Sequence, residues 1–469
     1  MSEKRSIVII GGGISGLALA AYCKDGGFNS IILEKDQSPG GKLKTSTVDG
    51  FLLEHGANTT SSNLAFEELV NLVGLNEELI KPQSARTKRF IVKKNKLKEV
   101  SPKPKDILFT SLLSAKGKTE LFKERFKKRR TEYTEETVGE FFERRFGKDV
   151  VDTLVDPFIA GIYAGDPYQL SMKSVMPKLL ELEAKHGSIT KAIKTEKDNF
   201  GKREIVTFRA GMQSLIDGLA NYIGSDNILC NMDVGTVDHL ENGQYAISLK
   251  QDGLDLEIVA DVIVFATPAL VTAKFLGRFS PELAELLELS HPNMVVLHLG
   301  YDRSAIKKPF EGFGFLIPKK ENKAFLGAVA NSSFLPNRAP QDKHLFTLFI
   351  GGTRDQQQLN TNKEELVTRA IQEFQELMKI SSPPVFTHQV EWPKAIPQFT
   401  IGHQAMLEGL DFFEANMNNI HVLGSFRSGL SVADCVAGAK KAHGKLIKDY
   451  SKQSYLASID QDYFDKQKQ

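Results

Sequence analysis

The sequence predicts an α/β (α+β) protein. It pairs a Rossmann-like nucleotide-binding domain, assembled from separated segments, with a mixed-sheet domain and a helical subdomain. Three observations predict this. An uncharged run from Ser6 to Cys23 joins a β-branched strand to glycines and a helix. A second strand-like apolar run, ADVIVFATPA, lies far away at 260–269. A third segment near the C-terminus, NIHVLGSFRSGLSVADCVAGAKKAHGKLI, reads as strand, glycine-bearing loop and helix.

The first run begins after Lys4 and Arg5 and contains "ALA" at 18–20. A basic start, an apolar core and small residues mimic a cleavable signal, and the length approaches that of a membrane span. The glycines weigh against both readings. Gly11, Gly12, Gly13 and Gly16 follow "IVII" directly, and each glycine inside a helix costs about 0.5–1 kcal/mol relative to alanine. A buried parallel strand, a tight turn and a close-packed helix fit better. Gly11 permits the turn, Gly13 admits a pyrophosphate, and Gly16 lets the helix pack on the strand. The N–H groups of Gly12, Ile14 and Ser15 then face the phosphates at the positive end of the helix. The helix ends at Gly26-Gly27, and a second strand, SIILEK, ends at Glu34 and Lys35. A carboxylate there is placed to accept the two ribose hydroxyls of an adenosine.

The 469 residues allow one or two large domains with ample core. A formal net charge of +2 gives no sign of nucleic-acid binding. Cys23, Cys230 and Cys435 are scattered, with no CxxC and no His/Cys cluster. This weighs against disulfides and metal, and suits a reducing compartment. No apolar stretch beyond the N-terminal decoy is long enough to span a bilayer. The polar tail 451–469 is expected to fray or dock loosely.

The stretch SPGGKLKTSTVDGFLLEHGAN (38–58) follows Glu34 closely. Gly40-Gly41-Lys42 can approach phosphate or a flavin by backbone, with Lys42 adding charge. A short strand then leads to a loop at Gly56, Ala57, Asn58 and Thr59. Taken alone this is one more turn and strand. With the N-terminal motif it resembles the FAD-binding end of the amine oxidase-like flavoproteins. Thr267-Pro268 marks where the chain leaves the sheet. The C-terminal helix is expected to begin near Asp434, which could cap it. Its neighbours Ser431, Val432 and Ala433 offer N–H groups to a ring edge of the cofactor.

Nearly the whole chain resembles the oxygen-dependent protoporphyrinogen and coproporphyrinogen oxidases. The segment DPFIAGIYAGDPYQLSMKSVMPKLLELEAKHGSI (156–189) carries most of the likeness. FRAGMQSLIDGLA (208–220), EGFGFLIP (311–318) and IPQFTIGH (396–403) add to it. The resemblance implies FAD as cofactor and porphyrinogen and O2 as substrates. Hydride passes from a methylene bridge of the macrocycle to FAD, and O2 reoxidises the flavin with release of H2O2. Protoporphyrinogen IX is the preferred substrate. The alternative is coproporphyrinogen III, which extra cations near Arg89 would favour; Lys88, Lys93 and Lys94 are the candidates.

The resemblance also assigns residues. Phe313, Leu316 and Phe349 are expected to sandwich pyrrole rings. The Gly161 carbonyl accepts pyrrole N–H bonds, and Arg89 receives a propionate. Asn58 lies near the flavin and substrate. Val234 and Trp392 complete the cofactor set. No acid or base is assigned, because electron-rich pyrroles can lose hydride without a strong one. His186, His291, His298 and His403 are read as structural.

Six segments follow from this: FAD-binding parts at 1–80, 201–270 and 396–450, a helical, membrane-facing and substrate-access subdomain at 81–200, a substrate-binding sheet at 271–395, and the polar tail. Within 101–135, eight cations from Lys116 to Arg130 oppose only Glu120 and Glu124. Leu121, Phe122 and Phe126 could share one helical face, below an apolar DILFTSLL. Such a stretch can rest on anionic lipid, or it can be a solvated helix over a channel. The expected location is cytoplasmic, peripheral on the cytoplasmic face of a membrane. Transfer of product to a chelatase partner is possible. Rival readings are an amine oxidase, a carotenoid desaturase and a non-catalytic FAD-binding protein.

Overall fold

A computed structural model of the chain describes residues 6–82, 88–101, 110–130, 134–196, 204–417 and 419–467, with side chains described through residue 449. Its centre is a five-stranded parallel sheet in the order 228–229, 29–33, 6–10, 262–265, 420–422. Distant parts of the chain therefore meet here. The run "IVII" is buried on both faces because the sheet is covered on both. Ile7 and Ile9 point to a core shared with Leu17, Leu215 and Val436 from three helices. Val8 and Ile10 point to a second core with Phe265, Met406 and Ile247. Full burial of each such side chain contributes about 1.5–3 kcal/mol.

A seven-stranded sheet forms the second layer, in the order 386–392, 294–302, 343–351, 327–329, 314–316, 89–92, 97–100. Alternation along strand Met294–Asp302 assigns its faces. Val295, Leu297, Leu299 and Tyr301 pack under Leu366, Ala370 and Phe374 of helix Lys363–Met378. Met294, Val296, His298 and Gly300 face the other way, towards the nucleotide-binding segments. Phe51 packs there against Leu345 and Phe386.

The region 81–200 is not wholly helical as expected. Strands Arg89–Val92 and Leu97–Val100 form a hairpin. Its first strand pairs in parallel with Gly314–Leu316. "RFIV" supplies β-branched and aromatic residues where the sheet has an open edge. The remaining helices close on Phe141, Val151, Ile159 and Leu182. A fully buried ion pair, Arg145–Glu124, ties helix Val138–Phe146 to the basic stretch. Glu124 also accepts from Ser188 Oγ at 2.7 Å and Ile189 N–H at 2.9 Å. Leu121 turns towards this core, leaving Phe122 and Phe126 exposed, so the three residues do not share one face. The first half of DILFTSLL, 106–109, lies outside the described residues, and Leu112 and Leu113 are buried.

Two expectations at the C-terminus change. The last helix begins at Val432, and Ser431 Oγ, not Asp434, caps it by accepting Asp434 N–H at 3.0 Å. That helix runs on to Gln467, so the backbone of the polar tail is helical and not frayed. Polar sequence without proline leaves nothing to stop a helix already nucleated on the core. Among the described residues no helix is long and apolar enough to cross a membrane.

Candidate functional site

The nucleotide-binding turn is built by contacts that only glycine permits. Gly11 has φ +110°, and a Cβ there would stand 2.7 Å from the Ala266 carbonyl oxygen. A Cβ on Gly16 would stand 2.1 Å from the Gly11 carbonyl oxygen. The helix Ile14–Asp25 starts at Gly13 with no side-chain cap, which leaves its first N–H groups available. A Cβ on Gly13 would meet nothing within 4 Å, so the space over the turn is open. An open cradle of glycines at an uncapped helix start fits a pyrophosphate.

Glu34 follows the second strand as expected. Its Oε2 accepts Gly12 N–H at 2.7 Å and its Oε1 accepts Asp36 N–H at 2.8 Å. Both oxygens are thus oriented, and each keeps a lone pair for a ribose hydroxyl. Met232 N–H donates to the Glu34 carbonyl at 2.9 Å, which brings Val234 to this end. Lys35 pairs with Asp233 at 3.2 Å on the surface.

The Gly40-Gly41 turn lies against the first motif, with Gly40 N–H donating to the Gly12 carbonyl at 2.8 Å. The Lys42 side chain reaches across to residues 394 and 395. Its Nζ donates to the carbonyls of Lys394, at 2.9 Å, and Ala395. Burial lowers its pKa to about 8. Gly56 abuts the Lys42 carbonyl, which a Cβ would approach to 2.4 Å. Trp392 Nε1 donates to the His55 carbonyl at 2.7 Å. Thr60 Oγ1 accepts Ala433 N–H at 3.2 Å, and Ala57 packs on the core holding Val432 and Ala433. The structure thus draws 40–42, 55–60, 392–395 and 431–433 into one continuous region beside the turn.

An apolar patch, called the slot below, borders this region. Helix Asp156–Tyr163 faces the seven-stranded sheet, and a Cβ on Gly161 would lie 2.4 Å from Leu316 Cδ2. Ala160, Ala164, Met294 and Leu326 pack there with half-buried Phe349 and Trp392. Gly161 sits in the last turn of its helix, and no N–H of the following residues bonds to its carbonyl. Phe313 N–H donates to the Lys88 carbonyl at 2.8 Å, and its ring stands 4.5 Å from that of Phe334. The Arg89 guanidinium lies 5.7 Å from the Phe313 ring centroid and pairs with no carboxylate among the described residues. These residues together offer apolar side chains, the Gly161 carbonyl and the exposed Arg89 guanidinium.

Comparison with known proteins accounts for this combination. The family of flavin containing amine oxidoreductases matches residues 14–442. The chain belongs to that family. Protoporphyrinogen oxidase 2, chloroplastic/mitochondrial, of Arabidopsis thaliana is 32% identical over 98% of this chain and 96% of its own. Coproporphyrinogen III oxidase of Bacillus subtilis (strain 168) is 24% identical over 94% and 97%. A crystal structure from Exiguobacterium sp. 255-15, provisionally designated a protoporphyrinogen oxidase, covers 95% of this chain and 99% of that one. Its TM-score is 0.80 at 24% identity, which shows the fold.

The cofactor of this flavoprotein is FAD. When bound, FAD supplies the hydride acceptor. The glycines of the turn shape the open cradle, and Glu34 holds both carboxylate oxygens beside it. Sequence reading missed several of the supports. The Lys394 and Ala395 carbonyls carry no residue-type signal. Arg354 donates to the Ile317 carbonyl at 2.7 Å and pairs with Asp156 at 2.8 Å, holding the slot's two walls together. Asn331 donates to Asn58 at 2.6 Å from a short helix without periodicity.

Proposed function

We propose that this flavoprotein oxidises a porphyrinogen to the porphyrin, protoporphyrinogen IX in preference to coproporphyrinogen III, with O2 as acceptor and H2O2 as product. The supporting observation is the slot itself. A flat, mostly apolar macrocycle with inner N–H donors and rim carboxylates needs apolar walls, a carbonyl acceptor and a cation. In this reading Leu316 and Phe349, the Gly161 carbonyl and Arg89 meet those needs. The full-length likeness to protoporphyrinogen and coproporphyrinogen III oxidases supports the same reading.

The preference rests on the rim. Lys88 pairs with Glu99 at 3.5 Å. Lys93 donates to the Ser111 carbonyl at 2.8 Å, and burial lowers its pKa. Lys94 lies beyond the far end of the same strand, its main-chain N–H bonded to Glu321 at 3.0 Å. None of these three stands free beside Arg89, and four propionates ask for more than one guanidinium. Arg86 lies outside the described residues. Purified protein supplied with each porphyrinogen in air is the test, read by porphyrin fluorescence. Faster turnover of protoporphyrinogen IX is expected, and the reverse order would overturn the preference.

The protein also rests on anionic membrane surfaces in this reading. Phe122 and Phe126 are 54% and 73% exposed. Arg125 lies 3.9 Å and 5.1 Å from their ring centroids. Lys116, Lys118, Lys123 and Lys128 lie in the same stretch of sequence. Aromatic rings beside several cations suit a headgroup region. Sedimentation with anionic vesicles, released by salt and weakened in a Phe122→Ser/Phe126→Ser variant, is expected. Binding that salt does not release would contradict a peripheral mode.

A further inference from the structure

Four polar side chains form a buried chain from the inner face of the seven-stranded sheet into the cofactor segment. His298, Thr347, Asn331 and Asn58 are 0%, 0%, 1% and 7% exposed. His298 and Thr347 are cross-strand partners in the middle of two apolar strands. His298 Nδ1 lies 3.0 Å from Thr347 Oγ1, which donates to Asn331 Oδ1 at 2.8 Å. Asn331 Nδ2 donates to Asn58 Oδ1 at 2.6 Å. Apolar residues of the same size would fill these positions without the cost of burying polar groups.

The chain has a direction. A threonine hydroxyl has one proton. Thr347 gives it to Asn331, so its oxygen accepts from His298 Nδ1–H. Histidine then carries its proton on Nδ1, and His298 Nε2 has no partner among the described residues. Burial and the neighbouring His388 and His55 lower the pKa of His298 to about 3, so the ring stays neutral. At the other end, flipping the Asn58 carboxamide would set its N–H2 against the N–H2 of Asn331. With Asn331 Nδ2 as the donor, Asn58 turns Oδ1 towards it. No described residue accepts from Asn58 Nδ2, so a nearly buried amide keeps its donors free.

We propose that His298, Thr347 and Asn331 are positioning residues that lock Asn58 as a hydrogen-bond donor to the ring of FAD. A fixed N–H donor favours the form of the ring with more negative charge, which is the reduced one. The inference rests on the reading that places the flavin ring beside Asn58, and its test does not require a porphyrinogen.

The measurement is the two-electron midpoint potential of bound FAD in purified holoprotein, titrated with a chemical reductant. Thr347→Val keeps the shape and removes the proton that orders the chain. It is expected to disfavour reduced flavin about tenfold, roughly 30 mV for a two-electron couple. Thr347→Ser is expected to keep the wild-type potential. Asn58→Leu should lower the potential similarly, and adding Thr347→Val to it should cause no further change. Should Thr347→Val fail to retain FAD, Asn331→Ala is read in the same way. An unchanged potential in Thr347→Val or Asn331→Ala overturns the inference, as does full additivity with Asn58→Leu. Failure of wild-type protein to oxidise any porphyrinogen would overturn the function proposed above and leave these potentials to decide the role of Asn58.

Discussion

Gly161 and Leu316 face each other so closely that a methyl group on the glycine would lie 2.4 Å from Leu316 Cδ2. One wall of the slot is the end of a helix and the other is a strand of the seven-stranded sheet, and their spacing depends on a missing side chain. Gly161→Ala should fold, because the atom it meets is the tip of a leucine that can rotate. Leu316 would then turn into the slot. Overpacking of this kind costs about 1–3 kcal/mol. The expected result is a yellow protein with kcat/KM for porphyrinogen reduced about tenfold or more, measured by porphyrin fluorescence.

Gly16→Ala should behave differently. Its Cβ would stand 2.1 Å from the Gly11 carbonyl oxygen, which is backbone and cannot swing aside. The helix and the glycine turn must separate, and the cradle for the pyrophosphate is lost. Purified Gly16→Ala protein is expected to carry little or no FAD by its visible absorbance.

Arg89→Ala should separate substrate binding from flavin binding. A charge-assisted hydrogen bond is worth about 1.5–3 kcal/mol, so KM for the porphyrinogen should rise roughly 10- to 100-fold while the flavin spectrum stays unchanged. Arg89→Lys should recover only part of this, because an ammonium lacks the guanidinium fork.

Stability should carry a pH signature from Glu54. Burial pushes its pKa up to about 7 despite bonds from Thr45 Oγ1, at 2.6 Å, and Met212 N–H, at 2.9 Å. The folded state therefore binds its proton more tightly than the unfolded chain does. Its contribution is fully present below the ordinary carboxylate range and is lost as pH rises through about 7. His298 acts oppositely. Its pKa is lowered to about 3, so its penalty is relieved as pH rises towards the ordinary histidine range. The two overlap, and the wild-type curve alone conceals both. The difference in melting temperature between Glu54→Gln and wild type isolates Glu54: the variant should gain on the wild type between pH 5 and pH 8.

The cofactor end was legible because glycines, a β-branched run and a terminal Glu have fixed spacing within one strand–turn–helix–strand unit. Gly11, Gly16 and Glu34 stand where that spacing puts them. The discontinuous assembly was also legible, since strands 262–265 and 420–422 announce themselves as uncharged runs. The slot was not readable from pattern. Gly161, Leu316 and Phe349 come from a helix and two strands far apart in sequence, and only resemblance joined them. The partners of Lys42 were not legible, because sequence gives its charge and not the Lys394 and Ala395 carbonyls that hold it. Asp434 was preferred as a helix cap over Ser431, three residues earlier, although both are good caps. The buried histidine chain left one faint sign, a lone His298 inside "MVVLHLGYD".

The most direct test of the central claim is anaerobic mixing of the purified FAD-loaded protein with protoporphyrinogen IX, followed by admission of air. The flavin absorbance is expected to bleach on mixing and return with air, together with porphyrin fluorescence and peroxide. A flavin that dithionite bleaches but neither protoporphyrinogen IX nor coproporphyrinogen III can reduce would contradict the account.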